Sequence, residues 1–134
     1  MPPRPLSPHL GVYKFMYTMS LSILHRLTGV AASFGFLLFV WWLMALAGGH
    51  DSYVRAMRLL DSPVAKLLLA GFAVSFAYHF CNGIRHLVWD TGRGLERAQA
   101  RRSGAVVVAG AVMLSVLLIW LGCRAFGQMT GTGT

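Results

Sequence analysis

The chain has 134 residues, 56% of them hydrophobic, with a mean hydropathy of +0.60, which is more apolar than one soluble core of this size requires and argues for an integral membrane protein. Its net charge of +8 would suggest a nucleic-acid partner in a soluble chain. Here the basic residues cluster between apolar runs rather than along an amphipathic face, so they read as topology signals and no nucleic-acid partner is expected.

In chain order, residues 1 to 20 carry early prolines, no continuous apolar core and no small-residue cleavage site, so they are not expected to be a cleavable signal. Val12, Phe15, Met16 and Met19 have helical spacing, and the arm is expected to lie along the inner membrane surface. A first membrane helix is predicted over 22–47, its uninterrupted apolar part running from Leu27 to Ala47, with Gly48-Gly49 as the stop. A second is predicted over 64–88, with Asp61-Ser62-Pro63 as its capping segment, and a third over 105–126. Each has the ~20 residues needed to cross ~30 Å of hydrocarbon. The stretch 91–103 is polar and basic and reads as a linker. The expected fold is all-α, one transmembrane anchor domain of three membrane helices.

Alternating sides group Arg4, Lys14, Arg26, Arg85, Arg93, Arg97, Arg101 and Arg102 against Arg55, Arg58, Lys66 and Arg124. The excess of basic residues on the first side predicts an inside N-terminus and an outside C-terminus. Cys81 and Cys123 then fall at opposite membrane faces, too far apart for a disulfide, and read as small hydrophobes. His9 and His50 read as surface residues, Trp41-Trp42 as belt or lipid contact near the outer face, and the third helix as scaffold, with Gly110 and Ser115 allowing close packing.

The second helix holds the most informative residues. A histidine in hydrocarbon is costly and usually marks a site, and His79 shares a helical side with Gly71, Ser75, Asn82, Gly83, His86 and Asp90. The first helix offers Ser22, His25, Arg26, Gly29 and Ser33 at spacings of three and four, near the membrane face that also holds Arg85 and His86. His79 is expected about 9 Å deeper than Arg85, at ~1.5 Å per residue. This supply suits a b-type haem: an imidazole for the iron from His79, small residues for the flat ring at Ser75 and Gly83, and Arg26, Arg85, His25 and His86 for the propionates. No second histidine is expected at the depth of His79, which implies a partner subunit that contributes the other axial ligand. Each residue also has a plainer use. His79 could hydrogen-bond a neighbouring helix, and Arg26 and Arg85 could be snorkelling anchors; their convergence favours the haem reading.

Arg4-Pro5-Leu6-Ser7-Pro8-His9-Leu10, Ser22-Ile23-Leu24-His25-Arg26-Leu27-Thr28-Gly29, and His79 followed by Gly83-Ile84-Arg85-His86-Leu87 and Trp89-Asp90 together resemble the cytochrome b556 anchor family of succinate dehydrogenases. The third helix matches only as a generic apolar span. The resemblance implies a three-helix anchor that forms a haem-binding bundle with a second membrane anchor subunit, docks an iron–sulfur subunit and a flavoprotein subunit on the inner face, and passes electrons from succinate to ubiquinone. It implies that His79 is the axial ligand to the iron of haem b, that His86 and Arg26 lie near the propionates with His25 beside them, and that Ser22 and Arg26 line the quinone site. The residue types suit that chemistry: Ser22 as hydrogen-bond donor to a carbonyl oxygen, Arg26 as cation for developing negative charge, His25 in a proton path. The chain carries no flavin or iron–sulfur motif, so succinate oxidation belongs to another chain.

The nearest alternative is the anchor of a fumarate reductase or another quinone-linked cytochrome b. A haem-free anchor and a proton-coupled transporter are further alternatives; against the transporter stand the single short chain, the lack of Asp and Glu in the membrane segments and the clustering of cations at the inner face. The absence of an Arg-rich transit peptide favours a bacterial inner membrane over a mitochondrial one.

Overall fold

A computed structural model of the chain describes residues 17–94 and 96–131. The surface arm expected over 1–20 therefore lies outside the described residues up to position 16, as does His9, while Tyr17 onward is already helical. Among the described residues there are four helices and no strand: α1 (Tyr17–Ala47), α2 (His50–Leu60), α3 (Pro63–Asp90) and α4 (Arg97–Gly131). Three of them, over Met19–Ala47, Pro63–Asp90 and Ala98–Gln128, are long and apolar enough to cross a membrane.

α1 runs without proline for 31 residues and stops where Gly49 adopts φ +89°, a left-handed conformation that side chains disfavour. α2 is not among the predicted spans. It has 11 residues, about 17 Å at ~1.5 Å per residue, too short to cross a bilayer. It buries Ala56 and Leu60, one turn apart, and points Arg55 and Arg58 outward. Asp51 in its first turn and Arg58 in its last complement the helix dipole. Tyr53 meets Trp42 edge-on at 6.5 Å, so Trp42 packs on α2 while Trp41 is exposed.

α3 begins as its sequence suggests. Ser62 accepts a hydrogen bond from the Ala65 amide at 3.3 Å, Pro63 occupies the first turn, and Asp61 pairs with Lys66 at 2.8 Å. α4 begins eight residues earlier than predicted, so the second half of the polar stretch 91–103 is helix rather than linker. The reason is local: Ala100 and Gly104 are buried and Ser103 half-buried, a small-residue face that only a helix can turn toward α3.

α1, α3 and α4 alternate in direction, with α3 packed against both others. Leu21, Tyr78, Val107 and Ala111 form a buried cluster shared by all three, and the Tyr78 hydroxyl donates to the Leu21 carbonyl at 2.9 Å. Cys81 packs beside this cluster, next to Gly110, and Ser115 is buried with its hydroxyl turned back to the Ala111 carbonyl. Both cysteines are free thiols. Most large apolar side chains face outward, including Phe34, Leu67 and Met113, as expected where lipid or a partner replaces water. Farther along, the Phe72 ring lies flat on the α1 backbone at Gly35, where a Cβ would overlap it.

Gly35→Ala is accordingly expected to lower the thermal midpoint of the solubilised protein, by overpacking of about 1–3 kcal/mol. The loss is expected to shrink in a Phe72→Ala background; an equal loss in both backgrounds would contradict the contact.

Candidate functional site

Near the start of α1, Ser22, His25, Arg26 and Gly29 sit on adjoining turns, and the second half of α3 brings His79, Asn82, Gly83 and His86 opposite them. The His25 and His79 rings are stacked, centroids 4.1 Å apart and 4° from parallel. His86 also adjoins His25, with centroids 5.0 Å apart and rings tilted by 43°. Three histidines from two helices thus form one group.

A single polar contact orients this group. Nδ1 of His79 lies 3.1 Å from the His25 carbonyl oxygen. A carbonyl only accepts, so Nδ1 carries the hydrogen and Nε2 is left with its lone pair. This is the arrangement that prepares an imidazole as a metal ligand, the second nitrogen being anchored by a backbone carbonyl. Gly29 makes room for it: a Cβ there would stand 2.9 Å from His79 Cε1 and 3.2 Å from Nδ1. A Cβ at Gly83 would come no nearer than 4.0 Å to His25, so α3 is open along that side too.

Two further observations point to something that completes the site. His25 Nδ1 is buried and has no hydrogen-bond partner among the described residues. Leaving such an atom unpaired costs about 1–3 kcal/mol. Ser22 is half-buried and Arg26 exposed, and neither side chain makes a hydrogen bond or ion pair among the described residues. Hydroxyl, guanidinium and imidazole are therefore all available at one helix face.

No second histidine was expected at the depth of His79, yet His25 is stacked on it. Among the described residues no group of three or more His, Cys, Asp or Glu side chains could hold a bare metal ion. The histidine group is therefore not a site for a bare ion, and its one oriented, unpaired nitrogen is Nε2 of His79.

Arg85 is engaged elsewhere than with the cations expected at the propionates. It is 5% exposed, donates from Nε to Ser103 Oγ at 3.0 Å and from Nη2 to the Ala100 carbonyl at 2.9 Å, and stacks its guanidinium 4.0 Å over Trp89. These contacts tie α3 to the early turns of α4. Nη1 also donates to Asn82 Oδ1 at 3.4 Å, and Asn82 Nδ2 lies 3.3 Å from His86 Nε2. Asn82 is fully buried. It was visible in the sequence on the side of His79, but its link between Arg85 and His86 depends on where α4 begins. Trp89 meets His86 edge-on at 5.3 Å and donates to the Gly94 carbonyl at 3.1 Å, closing the end of the site.

Residues 1–118 match the model of the family described as succinate dehydrogenase/fumarate reductase transmembrane subunit. The chain is 43% identical over 115 residues to the succinate dehydrogenase cytochrome b556 subunit of Rickettsia prowazekii (strain Madrid E), covering 86% of this chain and 90% of that one. It is 39% identical over 116 residues to the protein of the same name from Paracoccus denitrificans, covering 87% and 89%. It is also 43% identical over 115 residues to the mitochondrial succinate dehydrogenase cytochrome b560 subunit of Homo sapiens, covering 84% of this chain and 68% of the human one. The three apolar helices, the transmembrane family and the bacterial relatives accord with a multi-pass protein of a bacterial inner membrane.

Arg85→Lys is expected to destabilise the protein more than Ser103→Ala, because one ammonium group cannot reproduce the forked contacts to Ala100, Ser103 and Asn82. Ser103→Ala removes one hydrogen bond to a charged group, worth about 1.5–3 kcal/mol, whereas the lysine variant loses more than one such bond. Thermal unfolding of the two variants checks the order; a lysine variant as stable as the parent would contradict the α3–α4 tie.

Proposed function

The chain belongs to the succinate dehydrogenase/fumarate reductase transmembrane subunit family, and on that premise we propose that it is the haem b-binding membrane anchor of a succinate dehydrogenase, helping to form the site where ubiquinone is reduced. The observation that carries this reading is the His79 imidazole, held by the His25 carbonyl at Nδ1 with Nε2 free and with Gly29 clearing its edge. His79 would hold the haem iron through Nε2. His25, His86 and Arg26 serve the propionates, and Arg85 acts from behind, through Asn82. Bound haem supplies one-electron transfer. A second membrane anchor subunit would complete the haem site, and the iron–sulfur and flavoprotein subunits dock on the same side as the histidine group. That side faces inward, with the N-terminus, in keeping with its excess of basic residues.

Quinone reduction takes up two electrons and two protons. The electrons come from the iron–sulfur subunit and the protons from water at the inner face. Within this chain Ser22 donates a hydrogen bond to a quinone carbonyl oxygen, one turn from Arg26, whose guanidinium stabilises the negative charge that develops there. His25 lies between the two in sequence and has a buried Nδ1 in need of a partner. It can hold a proton and pass it on toward the quinone oxygen. The family description also covers fumarate reductase anchors. The names of the matched relatives favour succinate dehydrogenase; quinone preference of the purified complex separates the two, a fumarate reductase working with menaquinone.

Ser22→Ala and Arg26→Leu are each expected to lower succinate-to-quinone turnover by about tenfold or more in a complex that still assembles. Unchanged turnover in both would remove them from the quinone site. His79→Leu is expected to abolish the b-type absorption band or shift it strongly, and Gly29→Ala to perturb it by displacing the ring; an unaltered spectrum in His79→Leu would contradict the ligand assignment.

A further inference from the structure

We infer that Asn82 is a positioning residue that fixes the tautomer of His86, so that this ring presents Nδ1–H as its hydrogen-bond donor to an acceptor oxygen bound in the histidine site. The inference deepens the proposed function and rests on it for the identity of that oxygen, a haem propionate or a quinone carbonyl.

The contacts run from α4 inward to His86. The Arg85 guanidinium has only donors and keeps its charge at any accessible pH. Its Nη1 faces Asn82 at 3.4 Å, so the atom of the amide turned toward it must be Oδ1. Turning the amide over would set Nδ2 against Nη1, two donors with no acceptor between them. With Oδ1 committed, Nδ2 must face His86, where it meets Nε2 at 3.3 Å. Nδ2 is a donor, so Nε2 must be the bare, accepting nitrogen, and the ring hydrogen resides on Nδ1. Asn82 is 0% exposed, so water does not compete for either end of the amide. Arg85 is held in turn by Ala100 and Ser103, and the tautomer of His86 is set from the α4 backbone through two side chains.

The test uses the complex purified through a tag on this chain and labelled with [15N]histidine. Solid-state NMR reads the protonation of each imidazole nitrogen, and the His86 signals are those missing from a His86→Gln complex. The expected result is a hydrogen on Nδ1 and none on Nε2; a hydrogen on Nε2 overturns the inference, and this reading needs no variant of Asn82. Asn82→Asp keeps an oxygen for Arg85 but sets an acceptor against Nε2. It is expected to move the hydrogen to Nε2 and either to shift the haem midpoint potential, if the acceptor is a propionate, or to raise the KM for quinone about five- to tenfold with kcat little changed, if it is the quinone, a hydrogen bond being worth about that factor. Both effects are expected to vanish when Asn82→Asp is added to His86→Gln. Effects of equal size with and without His86, or none on either quantity, overturn the positioning role. A parent complex without a b-type band would overturn the haem reading instead, while the tautomer result would still decide for or against Asn82.

Discussion

Lipid is as apolar as leucine, so hydrophobic burial does not press membrane helices together, and their contacts must come from close packing and from polar groups that find each other. In this chain the hydrogen bond from His79 Nδ1 to the His25 carbonyl meets that constraint at the site itself. It joins α1 to α3, sets which nitrogen of His79 is free, and requires the two helices to approach so closely that Gly29 can be nothing larger without moving the ring. The stack of His25 on His79 and the tilt of His86 beside it follow from that approach. One contact therefore serves both helix association and ligand preparation, which is why packing and function cannot be separated here.

α3 is the axis of the arrangement. Toward α1 it presents Tyr78, His79 and His86, and toward α4 it presents Cys81 and Arg85. Asn82 stands between the two faces with one amide atom committed to each. The division of labour is chemical. The permanently charged Arg85 is spent on backbone and hydroxyl acceptors of α4, while the residues able to exchange protons or ligate a metal are gathered on the α1 side. Arg26, on the α1 side, remains an exposed cation.

Much of this could be read from residue spacing. The three membrane segments follow from runs of apolar residues, the cap of α3 from Ser62-Pro63, and the pairing of the Ser22–Gly29 turns with His79 and His86 from the alternation of helix direction. What escaped reading has physical causes. α2 is 11 residues of mixed polarity whose helical form depends on docking Ala56, Leu60 and Tyr53 against its neighbours. The early turns of α4 look like a basic linker because their apolar content is small; Ala100, Ser103 and Gly104 become a packing face only once Arg85 reaches across to them. Arg85 itself sits next to His86 in sequence, but adjacent residues on a helix point about 100° apart, and here that separates a structural cation from the site.

The claim on which the account turns is that His79 is prepared for haem iron within a succinate dehydrogenase. The most direct measurement is a dithionite-reduced minus oxidised optical spectrum of the complex purified from native membranes through a tag on this chain. The account expects a sharp b-type α band together with co-purifying flavoprotein. Intact partners without such a band would contradict it, leaving His79 as a residue that packs helices or carries protons.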